Sequence, residues 1–267
     1  MKIFYSELCL VHDEVLQGIE KLISHGAEHI ELMLDGKSWD GFEERMDILA
    51  EKLNSYGATY AVHSPVWNFN LTAASGYIRK AAMQAYKDSI VFADKISASH
   101  VVLHPGFADI PHEDKSHLKA MALEAMEELA AFNEVYQVDL LIENVGNEKT
   151  SIFTMEEYLT FLDQLPSTFR YIIDIGHANI TGWDLSLMIR RMGKRLKAFH
   201  INDNDGEMDI HQAMYEGTVD WAEFFRLIRE EGGNYDLILE YNVNTDLSKL
   251  TEGKKILLKE LSERGEG

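Results

Sequence analysis

YIIDIGHAN, at residues 171–179, has a form that recurs along this chain: a short β-branched or aliphatic run meets an ionisable residue, and a turn follows. Outward from it, LLIENVG (140–146) and KAFHINDND (197–205) repeat the form, then HVVLHPG (100–106), LILEYN (237–242) and YAVHSP (60–65). The metal-binding side chains gathered in this way are His63, His104, Glu143, Asp174, His177, His200, Asp209, His211 and Glu240. Buried strands rarely finish on ionisable groups unless something pairs with them, because an unpaired buried charge is costly. Strands lying side by side would bring these groups to one rim, which is the layout of a metal-dependent barrel enzyme.

Strand-like and helix-like runs alternate along the whole chain. Strands are expected near 2–5, 29–34, 59–63, 100–104, 139–144, 169–175, 196–201 and 236–241. Helices are expected after each, at about 13–25, 41–56, 75–97, 114–136, 154–164, 184–193, 219–231 and 246–263. Apolar spacing of three and four, as in Leu118, Met121, Ala122, Ala125, Met126 and Leu129, supports them. Thr154 with Glu157, and Asp220 with Glu223, mark helix starts. Pro65, two residues after His63, and Pro105, directly after His104, stop those strands. Eight strand–helix pairs without a long polar linker argue for a single α/β domain over 1–267, a closed (β/α)8 TIM barrel rather than an open doubly wound sheet. A barrel builds its site at the C-terminal ends of its strands. The strand-borne candidates sit there on strands three to eight, with His177, Asp209 and His211 in loops just beyond.

Bulk properties agree. The 267 residues carry 46% apolar and 26% charged side chains, ordinary for a globular chain. No apolar run approaches the about 20 residues that span a bilayer. MKIFYSELCLVHDEV turns acidic too early for a secretory h-region, so a cytoplasmic location is expected. The only cysteine, Cys9, cannot form an internal disulfide and reads as a small core residue. The formal charge of −20 would repel a polyanion at long range, which weighs against nucleic acid as a partner. A homo-oligomer is compatible with the sequence.

Glu143, Asp174, His200 and Glu240 end strands five to eight and so neighbour one another around half the rim. Three carboxylates and an imidazole suit Mn²⁺, Mg²⁺, Co²⁺ or Zn²⁺. His63 and His104 could share Glu143 in holding a second ion, and His177, Asp209 and His211 could hold a third. His12, His25, His29, His100, His112 and His117 fall in helices, strand starts or loop tips and read as structural. Trp39, Trp67 and Phe69 follow strands two and three near the expected mouth, where rings can serve as apolar walls of a ligand site or simply pack beneath a loop.

The ordered motifs HSP-x-x-x-x-N (63–70), HPG (104–106), EN (143–144), D-x-G-H-A-N (174–179), H-x-N-D (200–203) and E-G-x-V-D-W (216–221) resemble those of the xylose isomerase-like superfamily. That superfamily includes sugar and sugar-phosphate isomerases and epimerases, and also endonuclease IV. The resemblance runs from about Ile3 to Asn242. It implies a shared metal site at Glu143, Asp174, His200 and Glu240. It also implies a divalent-metal-dependent isomerase or epimerase of a sugar or sugar phosphate, working through an enediolate. Glu143 and Glu240 would then serve as acid and base, and His177, Lys149 and Trp67 would contact the substrate. The alternative it implies is an endonuclease IV-like phosphodiesterase, whose three-zinc cluster would add His63, His104, His177, Asp209 and His211. The acidic balance and the NDNDG-x-x-D-x-H stretch favour the sugar branch. Two positions depart from the pattern: Lys149 stands where ketose 3-epimerases carry a further Glu, and Tyr215 stands where the family usually has Gly.

Overall fold

The computed structural model describes residues 1–110, 114–147 and 149–262. The expectation for His112 and the last residue of the final expected helix, 263, lie outside them. Eight parallel strands close in sequential order: β1 (Ile3–Ser6), β2 (His29–Met33), β3 (Thr59–His63), β4 (Val101–Leu103), β5 (Leu140–Glu143), β6 (Phe169–Asp174), β7 (Leu196–Ile201) and β8 (Asp236–Leu239). The β1–β8 pairing completes the ring, so no strand edge is left open. Around it lie α1 (Val15–Ser24), α2 (Met46–Ser55), α3 (Gly76–Lys95), α4 (Ser116–Asn133), α5 (Met155–Gln164), α6 (Ile175–Thr181), α7 (Leu185–Met192), α8 (Trp221–Glu231) and α9 (Leu247–Ser262). The two anticipated caps are present: Thr154 and Glu157 form a reciprocal box, and Asp220 accepts from the Glu223 N–H.

Two local expectations need correction. The loop after β6 is absent, because Ile175 opens α6 at once and places His177 in a helix rather than a loop. Asp174 makes this possible by capping α6, its Oδ1 accepting from the His177 N–H at 2.6 Å. Gly176 is needed there, since a β-carbon would overlap Asn202 Oδ1. The second helix begins not at 41 but as a 3-10 turn, Phe42–Glu44, that precedes α2. Another 3-10 turn, Glu7–Leu10, precedes α1.

Strand alternation positions the site. Phe4, Ala61, Val102, Leu141, Ile172, Ala198 and Ile238 form one apolar cluster inside the barrel. Their strand neighbours point outward into the larger core shared with the helices. Two residues further along the same inward faces come His63, His104, Glu143, Asp174, His200 and Glu240. Period two therefore seats all six directly above the apolar plug.

Candidate metal centre

The strand-end side chains converge within ion-binding distance. His200 Nδ1 lies 3.3 Å from Glu143 Oε1 and 3.4 Å from Glu240 Oε2, with Asp174 Oδ2 at 3.9 Å. His63 Nε2 and His104 Nε2 both approach Glu143 Oε2, at 3.3 and 3.1 Å. On the other flank, Asp209 spans His177 Nε2 at 3.0 Å and His211 Nε2 at 3.1 Å. Four three-residue groups have donor atoms within 4.8 Å of one another: His63/His104/Glu143, His63/His200/Glu240, Glu143/Asp174/His200 and Asp174/His177/His211. The structure thus brings together all nine candidate ligands named from the sequence.

The hydrogen bonds around the donor set fit it to a cation. Each of four imidazoles has one nitrogen anchored: His63 Nδ1 to Ser64 O at 2.8 Å, His177 Nδ1 to Asn144 O at 2.9 Å, His211 Nδ1 to Glu240 O at 3.1 Å and His200 Nε2 to Glu31 Oε2 at 3.2 Å. Anchoring one ring nitrogen fixes the tautomer and presents the other as a lone pair, the usual arrangement of metal-bound histidine. His200 Nδ1 is fully buried and has no hydrogen-bond partner, so the centre holds an orphaned donor atom aimed at three carboxylates. Asn202 holds the second oxygen of Asp174 at 2.7 Å, and Asn144 exchanges two hydrogen bonds with the Asp174 backbone.

Against these charges the imidazoles take up protons, which a bound cation would displace to expose the lone pairs. Burial lowers the basicity of His63, but its bond to Glu143 and the charges of Glu143, Glu31 and Glu240 outweigh this and push it up to about 9. For His211, burial is likewise overcome by Glu240 and Asp209, and its pKa rises to about 9. Burial would raise the Glu143 carboxyl, yet His200, His104 and His177 hold it well below the usual range. Glu240 moves the other way: burial and the nearby Glu143 and Glu31 charges exceed the pull of His200 and His211.

Glu31 escaped the sequence reading. It is fully buried on the inner face of β2, in register with Ala61 and one layer below His63. Its signal was the acid between Ile30 and Leu32, whose outward direction forces Glu31 inward. The other expected contacts divide. Trp67 and His177 line a cavity of about 400 Å³ above the centre, together with His63, His104, Glu143 and Glu240. Lys149 has an exposed side chain and is not on the cavity wall. Trp39 is 3% exposed, donates to Glu7 and packs edge-on against Phe42 and Phe92, so it belongs to the core. Phe69 lines an adjoining groove instead.

Fold and centre define a (β/α)8 barrel with a buried histidine–carboxylate cluster at its C-terminal mouth. The chain belongs to the xylose isomerase-like TIM barrel family, whose model matches residues 19–261. An uncharacterized protein of Methanocaldococcus jannaschii is 24% identical, the match covering 96% of this chain and 88% of that one. A probable endonuclease 4 of Thermoplasma acidophilum is 25% identical across 67% of this chain and 66% of its own. Among solved structures, a D-tagatose 3-epimerase-like protein superposes with a TM-score of 0.84 at 22% identity, covering 99% and 98% of the two chains. The IolI protein with a zinc atom bound gives 0.81 at 16% identity, with full coverage of both chains.

Proposed function

We propose that the protein is a divalent-metal-dependent isomerase or epimerase of a small sugar, working through an enediolate. The observation that carries this reading is the convergence of Glu143 and Glu240 on His200 Nδ1, 3.3 and 3.4 Å from it, with both glutamates lining a cavity of about 400 Å³. Glu143, Asp174, His200 and Glu240 would hold the ion. When bound, it would supply positive charge to polarise a carbonyl and an adjacent hydroxyl. The two glutamates reach the substrate carbon from opposite sides, one taking its proton and the other returning one. Isomerisation and epimerisation then differ in where the proton returns. His177 and Trp67 contact the substrate, whereas the placement of Lys149 gives it no such role. The epimerases among the fold neighbours support the reading, each covering nearly the whole chain. Among the described residues no helix is long and apolar enough to cross a membrane.

A three-ion phosphodiesterase is favoured by one observation, the extension of the donor set to His63, His104, His177, Asp209 and His211. The chain's formal charge of −20 opposes it. Metal-loaded protein should exchange solvent deuterium into the reacting carbon of a ketose. Glu240→Gln should lower turnover by ~10²–10⁴-fold with a smaller change in substrate binding. An intact rate in that variant removes Glu240 from the chemistry, and cleavage of an abasic duplex with no ketose converted replaces the isomerase by the nuclease.

A further inference from the structure

The cavity above the centre has two unlike poles. Among the described residues, its ionisable side chains all belong to the histidine–carboxylate cluster. The β8–β1–β2 arc, across the ring from β5 and β6, presents Leu8, Met33 and Val243, which pack together. Val66, Trp67 and Phe107 extend this apolar wall over the β3 and β4 loops. Thr150 and Asn242, polar side chains on the described lining, are already engaged. Thr150 exchanges hydrogen bonds with Asn147, and Asn242 donates to Ile210 O at 2.9 Å while accepting from the Val243 N–H at 2.7 Å.

No Lys or Arg lies among the described residues lining the cavity. The undescribed residues of the β4 and β5 loops are Pro111, His112, Glu113 and Glu148, so they add none. A phosphate ester would enter a chamber whose fixed charges include Glu143, Asp209 and Glu240, and whose imidazoles His63, His177 and His211 are already engaged by those carboxylates. A tail rich in hydroxyls would fare little better against the apolar wall, where each loses its water partner without gaining another. An alkyl end would instead bury its surface there.

Resting on the isomerase reading, we infer that the substrate is an uncharged hydroxycarbonyl compound with a deoxygenated, apolar tail, carbonyl end down on the histidine–carboxylate pole and tail against Leu8, Val66 and Trp67. The test is binding, measured calorimetrically on metal-loaded wild-type protein with a 6-deoxyketohexose, the parent ketohexose and its 6-phosphate. The deoxy compound should bind on the order of tenfold more tightly than the parent, and the phosphate most weakly. Trp67→Ala should erase the preference for the deoxy compound, and Val66→Lys should shift relative affinity toward the phosphate. A phosphate that binds the wild type as tightly as the deoxy compound overturns the inference, as does a deoxy compound that does not bind. The predicted order without conversion of any of the three leaves the tail assignment standing and removes the isomerase reading instead.

Discussion

At the scale of single residues, the least conspicuous member of the centre is Glu31. It touches none of the other carboxylates' partners except His200, whose Nε2 lies 3.2 Å from its Oε2. That contact decides which imidazole nitrogen is left bare. In Glu31→Gln the amide can donate to Nε2, which moves the ring proton to Nδ1 and blocks the coordinating atom. Metal affinity should fall about 10–100-fold, as for other outer partners of ligating histidines, measurable by chelator competition with Mn²⁺ or Zn²⁺. An unchanged affinity would reduce Glu31 to a packing residue. His211 shows another cost of the site: its φ of 42° places a non-glycine side chain in the left-handed region, held by Glu240 and by the Asn242 N–H that donates to its carbonyl.

At the scale of elements, Glu7 in the first 3-10 turn ties β1 to β2 and to Trp39. Its Oε2 accepts from the Met33 N–H at 3.2 Å and from Trp39 Nε1 at 3.3 Å. Burial pushes its pKa up to about 8 despite these bonds, with the Asp13 charge adding to the rise. The folded protein therefore retains a proton that the unfolded chain has released above its ordinary value of 4.5. This contribution is complete below that value and is lost as pH rises toward 8, at up to ~1.4 kcal/mol per pH unit. Glu7→Gln removes it, so the variant should gain thermal midpoint relative to wild type between pH 5 and pH 8. A midpoint difference that stays constant across that range would show that Glu7 does not hold its proton. Glu7 was no more legible in the sequence than Glu31, for the same reason: an acid alone in an apolar run does not reveal its partner. The eight strands were legible because period two and terminal ionisable residues coincide on most of them. Helix α6 was not, since its seven residues, Ile175–Thr181, follow β6 without a turn signal and are nucleated by Asp174, a candidate ligand that acts as their cap. The aromatic residues divided according to loop path, which composition does not encode: Trp67 reached the mouth and Trp39 turned into the core.

At the scale of the whole molecule, the ring of strands is closed but not uniformly laced. β2 and β3 match along five residue pairs, whereas β3 and β4 match along two, Val62 with Val101 and His63 with Val102. β4 is itself three residues long. The thinnest seam of the barrel thus runs beside His63 and His104, both of which reach across to Glu143 on β5. An ion seated among these three residues would act as a clasp, coupling occupancy of the centre to the breathing of the barrel. Amide hydrogen exchange should expose this coupling. In metal-free protein, the amides of Val62 and Ser64, which donate to His100 O and Val102 O across the seam, should exchange faster than those of the more fully paired β6–β7 ladder. Added Mn²⁺ or Zn²⁺ should slow the first pair much more than the second. Equal protection at both ladders, or a slowing spread evenly around the ring, would mean that the barrel opens as one body and that the ion closes no particular gap.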